Sequence, residues 1–303
     1  MKVSLSTKRE ELAISMGSYY RNNLEYHDNV GDITGERPSL EEINIFQEIK
    51  KFQNYPNRNL KVLEIGCGAC DSSGTLLSIL GAKEYYGIDA SQPAIQFARQ
   101  KYPDHNLTVG DAAHLPFENN FFDVVIFNFV LEHMVYPDRV LCEAIRVTRL
   151  GGIVGMIVPV CDLPWLIPSS LRYQRKNLGF LIRFTLSRWI ELLRIRYQPS
   201  YYSFRLVEKP IILIEQKNYQ FQPDDDLVYI ASSLEIIKYL INSGCEVLYS
   251  DGREITTCIR NGRRPLIDWL KLIAFNCLRF SLVKLNASDY TTTISLVVRK
   301  VQN

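Results

Sequence analysis

Between Leu60 and Val160, short apolar runs alternate with helical patterns, and this alternation constrains the chain more than any other feature. Lys61-Val-Leu-Glu-Ile reads as a short apolar strand that ends at Gly66-Cys-Gly, with Ser73 to Leu80 as the helix behind it. Tyr85-Tyr-Gly-Ile-Asp is a second strand, Gln92 to Lys101 its helix, and Leu107-Thr-Val a third strand. Phe122 to Asn128 is nearly all apolar, as a strand covered on both faces must be. Asp138 to Val147 reads as a helix and Gly152 to Val158 as a fifth strand. Such alternation gives a parallel sheet with right-handed crossovers, an α/β doubly wound fold.

The flanks are less regular. Ser39, with Glu42 three residues on, predicts a capping box for a helix running to about Phe52. Residues 160–230 carry Pro, Tyr, Arg and Leu without clean alternation. Ser232 and Ser233 are expected to cap a helix over Leu234 to Asn242, ended by Gly244. Glu246-Val-Leu-Tyr and Thr292 to Val298 read as sixth and seventh strands, with an apolar helical pattern between them over Pro265 to Leu285.

Size and composition exclude several classes. With 303 residues, 47% apolar and 22% charged, the chain can bury a large core without disulfide or metal. The N-terminus lacks the apolar core of a signal peptide, and the longest apolar run, Leu266 to Leu285, is broken by Asp268, Lys271, Arg279 and Lys284. Seven Cys without paired metal spacing suit a reducing cytosol, and Cys67-x-x-Cys70 has no second pair or His cluster to support a metal. A cytoplasmic protein, peripheral at most to a membrane, is the expectation.

The chemistry centres on Glu64-Ile-Gly66-Cys67-Gly68. A strand running into Gly-x-Gly lets the backbone turn sharply and approach a ligand without Cβ interference. The third Gly of a dinucleotide fingerprint is missing, because position 71 is Asp. A pyrophosphate would sit poorly beside that carboxylate and Glu64; a cationic, phosphate-free nucleoside would not. Asp89 ends the second strand, at the spacing where an acid takes ribose hydroxyls, and Asp111 follows the third. Each residue also fits a plainer role: Asp89 as a helix cap, Asp111 as a turn acid, Glu64 as a solvated strand-end carboxylate. His133 is the candidate base, since its pKa suits proton transfer near neutrality, ahead of His27 and His114.

Taken together, E-x-G-x-G, the second-strand Asp, G-D-A-x-x-L-P-F, F-D-x-V-x-x-x-x-x-L-E-H and R-V-x-R-x-G-G resemble class I S-adenosylmethionine-dependent methyltransferases over about residues 58–160. The nearest likeness is to the type 11 group of quinone and other small-molecule methyltransferases. The resemblance implies a Rossmann-like sheet of seven strands, mostly parallel, with an antiparallel last strand and helical inserts. It implies S-adenosylmethionine as cofactor and S-adenosylhomocysteine as product, with no metal. Gly66, Cys67 and Gly68 would pass under the methionine part, and Glu64 would help hold its amino group. Asp89 would take the ribose, Ala90 and Ser91 the adenine edge, Asp111 the adenine amino group and Ala112 the ring. Asn128 and Phe129 would face the methionine end, and Tyr19 and Tyr20 would close the site. In the family a His at the position of His133 is commonly structural.

On this basis the chain divides into an N-terminal helical cap (1–57), a cofactor-binding core (58–160), a basic aromatic insert (161–230) and the remainder of the sheet (231–303) with an apolar helical insert at about 260–286. Residues 160–209 hold nine Lys/Arg against three acids, although the whole chain is only +2. Leu178 to Arg196 has apolar residues at helical spacing, with Arg on another face. Such a helix serves either as a lid or as a peripheral contact with an anionic membrane, through 163–209 and 260–286. An apolar pocket with a basic rim would suit a lipid-linked, polyketide-like or anionic glycan acceptor, methylated on O, N or C. The sequence speaks against nucleic acid as the partner: Asn128 is followed by Phe-Val-Leu rather than the motif of amino-group DNA methyltransferases. The alternatives are a non-catalytic scaffold of the same fold and, less favoured for want of the third Gly, a nicotinamide-dependent oxidoreductase.

Overall fold

The computed structural model describes residues 5–22, 38–53, 59–162, 164, 167–174, 177–214, 225–251 and 292–302. The apolar run over Pro265 to Leu285, Trp165, Leu166 and His27 lie outside the described residues.

Seven strands form one sheet in the order β3-β2-β1-β4-β5-β7-β6. They are β1 (Lys61–Ile65), β2 (Glu84–Asp89), β3 (Asn106–Val109), β4 (Phe122–Asn128), β5 (Thr148–Val160), β6 (Cys245–Ser250) and β7 (Thr292–Lys300). The first five pair in parallel, with Val62 opposite Val124 and Phe127 opposite Met156. β7 runs antiparallel between β5 and β6, with Met156 opposite Leu296 and Val247 opposite Val298. The expected fold class is therefore the one observed. Strand ends agree within a few residues; the largest difference is β5, which begins at Thr148 and not Gly152.

Period-two alternation between two covered faces explains why β4 is buried throughout. Val125 and Phe127 enter one core, with Leu63 and Met156 of the sheet. That core packs on α5 (Pro137–Val147), through Leu141 and Ala144, and on α7 (Ser233–Asn242), through Ile236 and Leu240. Val124 and Ile126 enter the opposite core, which is closed by α2 (Leu40–Lys51), α3 (Ser73–Leu80) and α4 (Gln92–Lys101). α2 contributes Ile45, Phe46 and Ile49, each fully buried, worth roughly 1.5–3 kcal/mol apiece.

The capping box of α2 is complete: Glu42 N–H donates to Ser39 Oγ at 3.3 Å and Ser39 N–H to Glu42 Oε2 at 2.8 Å. Ser39→Ala should cost about 1 kcal/mol, visible as a melting temperature lower by a few degrees in a thermal scan.

Outside the sheet lie α1 (Leu5–Asn22) and α6 (Leu178–Tyr197). α6 departs from expectation. Its Arg residues do not all lie on the outer face: Arg188 is fully buried. Its guanidinium pairs with Glu191 at 2.5 Å and donates to the carbonyls of Cys161 at 3.0 Å and Ala231 at 3.2 Å. It thus joins the exit of β5 to the entry of α7. The cap of α7 also differs from expectation. Ser232 holds the cap position but makes no side-chain cap bond. Instead Asp162 Oδ1 accepts from Ser233 N–H at 2.9 Å and from Ser232 Oγ at 3.1 Å.

Candidate active site

A cleft of about 740 Å³ opens at the C-terminal ends of the strands, the edge at which open α/β sheets bind ligands. The sequence-predicted residues Glu64, Gly66, Cys67, Gly68, Asp89, Ala90, Asp111, Ala112, Asn128, Phe129 and His133 all line it. Tyr20 lines it too, whereas Tyr19 packs edge-on against Tyr20, ring centres 5.3 Å apart. His114 sits at the exposed rim, 3.2 Å from Asp111 Oδ2.

The floor is the turn after β1. Gly66 and Gly68 have φ of +70° and +50°, a region that side chains other than glycine enter at a cost. A Cβ on Gly66 would stand 2.5 Å from Val130 Cγ2 and 2.6 Å from its Cγ1. The turn is anchored to β2, because Gly66 N–H donates to Ile88 O at 2.7 Å. Asp89 locks it further: Oδ2 accepts from Gly68 N–H at 2.9 Å and Oδ1 from Ser91 N–H at 2.8 Å. Asp89 is not the cap of the next helix. Ser91 is, accepting from Ala94 N–H at 3.3 Å. Each Asp89 oxygen keeps a lone pair for a hydroxyl.

Glu64 is buried at the end of β1 and accepts from the Tyr85 hydroxyl at 2.5 Å. Burial, and then the Glu64 charge, push the Tyr85 phenol well above its ordinary value, so it stays a donor. The Cys67 thiol is also raised, by its hydrogen bond with Cys70 and then by burial. That disfavours the thiolate which metal or redox chemistry needs. No cluster of metal-ligating side chains occurs among the described residues.

Asn128 is the clearest sign of a missing partner. It is buried, and neither amide atom has a hydrogen-bond partner among the described residues. Beside it Phe129 turns through φ +55°, its N–H held by Ile157 O at 2.8 Å. The charged lining is mainly acidic, with Glu42, Glu64, Asp71, Asp89 and Asp111 against Arg21. A ligand with a cationic centre, an amino group and hydroxyls fits this donor and acceptor set; a diphosphate does not.

Sequence reasoning missed three contributors. Glu42 reaches the cleft from α2, and its Oε1 accepts from Ser72 Oγ at 2.9 Å; the signal was its capping box. α1 supplies Met16, Gly17 and Arg21 to the wall, and nothing in its polar pattern marks them. Asp226, in the Asp224–Asp226 run, lies 3.3 Å from His133 Nδ1 and accepts from the Tyr20 hydroxyl at 3.0 Å. His133 Nε2 stands 3.6 Å from Glu132 Oε1. Val228 and Tyr229 N–H both donate to Glu132 O, at 2.9 and 2.8 Å, which fixes the end of the insert to this turn.

Comparison with known proteins agrees with this geometry. Residues 63–156 match the family model described as a methyltransferase domain. The chain is 30% identical over 140 residues to demethylmenaquinone methyltransferase of Staphylococcus saprophyticus, covering 43% of this chain and 60% of that protein. It is 32% identical over 121 residues to phthiotriol/phenolphthiotriol dimycocerosates methyltransferase of Mycobacterium leprae, covering 39% and 43%. The likeness thus spans less than two thirds of these relatives. In fold, it is similar to geranyl diphosphate C-methyltransferase of Streptomyces coelicolor, with a TM-score of 0.50 at 10% identity, over 98% of this chain and all of that one. Strand order, cleft and family match converge: residues 63–156 are similar to a methyltransferase domain and lie within a seven-stranded sheet whose strand ends open on the cleft.

Proposed function

We propose that this chain transfers a methyl group from S-adenosylmethionine to a small-molecule or lipid-like acceptor. The observation that carries the reading is the Asn128 amide, unpartnered among the described residues, beside a Gly66–Gly68 floor and an acidic wall. Gly66, Cys67 and Gly68 would lie under the methionine part, with Glu64 and Asn128 taking its polar groups. Asp89 would take the ribose hydroxyls; Ala90, Asp111 and Ala112 would line the adenine; Phe129 would face the methionine end. When bound, the cofactor supplies an electrophilic methyl carbon for in-line displacement, a reaction in which alignment supplies much of the acceleration. The chain's task is therefore mainly to orient and to exclude water. His133, on the cleft wall and 3.3 Å from Asp226, would accept the proton of a hydroxyl acceptor.

Two observations support a lipid-like acceptor. The relatives are named as methyltransferases of demethylmenaquinone and of phthiotriol/phenolphthiotriol dimycocerosates. A second cleft, of about 910 Å³, shares Tyr136 with the first, and joins apolar walls such as Phe180, Phe184 and Leu206 to charged residues of both signs, with five cations, Lys8, Arg9, Arg139, Arg205 and Lys209, against the acids Glu10, Asp138 and Glu208. A bilayer-borne acceptor implies peripheral membrane contact through the 163–209 region. No helix of the described residues is long and apolar enough to cross a membrane.

Calorimetric titration of S-adenosylmethionine and S-adenosylhomocysteine tests the cofactor. Wild type should bind in the micromolar range, and Asp89→Ala should lose at least about tenfold, the equivalent of ~1.4 kcal/mol. A folded wild type that binds neither would leave the fold standing and remove the proposed reaction.

A further inference from the structure

The outer face of α6 runs against the usual pattern for a surface helix. Its inner face is already satisfied: Phe184, Arg188, Glu191, Leu192 and Ile195 are buried. Its outer face is apolar as well. Leu178, Ile182, Leu186, Ile190, Leu193 and Tyr197 are 38–69% exposed. Their spacing of four, four, four, three and four residues places them in one stripe along the helix, about 30 Å long. Singly exposed apolar residues are ordinary; a continuous row of them marks an interaction surface.

Charge indicates what meets that row. The only acid of the helix, Glu191, points inward, where Arg188 and Arg205 neutralise it at 2.5 and 3.0 Å. The cations that remain, Arg183 and Arg194 (exposed) and Arg196 (half-exposed), border the stripe, and none makes an ion pair among the described residues. A second copy of the chain would set these arginines against their own kind. The apolar segment Pro265–Leu285 carries one acid, Asp268, against Lys271, Arg279 and Lys284, so its charge is unfavourable too. An apolar stripe edged by arginine, free of outward acid and bearing Tyr197 at one end, fits the headgroup–acyl boundary of an anionic bilayer.

We propose that α6 docks the protein on anionic lipid surfaces, its Leu178–Tyr197 stripe entering the bilayer boundary and its arginines meeting the headgroups. The docking helix also supplies Phe180 and Phe184 to the second cleft. It therefore borders the space assigned above to a lipid-like acceptor; that connection rests on the proposed function, whereas the docking surface does not.

The test is co-sedimentation of the full chain with phosphatidylcholine vesicles, with and without 30% phosphatidylglycerol, which is about a third anionic lipid as an order-of-magnitude setting for surface attraction. Wild type should bind the anionic vesicles at least about tenfold better than the neutral ones, with binding weakened by salt. The variant Ile182→Ser/Leu186→Ser/Ile190→Ser and the variant Arg183→Glu/Arg194→Glu should each lose about tenfold or more, ~1.4 kcal/mol, and keep the wild-type affinity for S-adenosylmethionine. Failure of wild type to bind, or equal binding by the serine variant, overturns the proposal. A dimer that the serine variant abolishes, without vesicle binding, overturns it in favour of a second copy. A serine variant that melts several degrees lower, with no vesicle binding by wild type, overturns it in favour of cover by the chain's own segment. Vesicle binding without cofactor binding would remove the proposed reaction and leave the docking surface.

Discussion

Gly66→Ala is expected to weaken S-adenosylmethionine binding about a hundredfold in a protein that still folds. Two costs combine. The residue must hold φ +70°, worth about 1–2 kcal/mol for a side chain other than glycine. Its Cβ must also displace Val130, whose methyls stand 2.5 and 2.6 Å away, and overpacking of this kind costs roughly 1–3 kcal/mol. Both fall on the turn that lies beneath the cleft, so relief moves the backbone the cofactor would rest on. A combined loss of about 3 kcal/mol in binding corresponds to about a hundredfold. Calorimetry on the double variant Gly66→Ala/Val130→Ala separates the two costs. Removing the Val130 methyls should return part of the affinity, while the φ cost persists. Equal affinity of wild type and Gly66→Ala would show that this turn does not carry the cofactor.

Arg188→Ala should be the most destabilising change in the insert. Arg188 has no exposed surface and bonds Glu191 and two main-chain carbonyls. Removing one partner of a buried pair costs about 3–5 kcal/mol, because the other partner and its acceptors stay desolvated. Arg205, 3.0 Å from Glu191, keeps part of the compensation and sets the expectation near the lower figure. A fall in melting temperature of roughly 5–10 °C should result. Arg188→Met/Glu191→Leu should lose less than the single change, since it removes the charge together with its partner. Calorimetric melting of both variants checks the order.

α2 and the strand edge were legible because local patterns decide them. The capping box at Ser39 and Glu42 needs only its own four residues. The apolar run of β4 follows from burial on both faces, and Gly-x-Gly follows from the turn a strand must make at that edge. The acids Glu64, Asp89 and Asp111 come to one cleft because parallel strands end on the same side of the sheet.

α6 shows where local pattern stops. Its residues recur at helical spacing on two faces at once, so periodicity announced a helix without saying which face turned inward. The burial of Arg188 depends on acceptors 27 and 43 residues away along the chain. Asp226 reaches His133 across more than twice the longer of those separations, and Tyr20 reaches Asp226 from near the other end of the chain. The sequence alone thus determined the layered α/β architecture, its strand edge and the residues along that edge, because periodicity and turn chemistry act over a few residues. Only the tertiary structure decided which arginine is buried, which apolar face remains outside and which distant carboxylate stands beside His133. Those outcomes depend on the packing of segments far apart in the chain, and no local pattern encodes it.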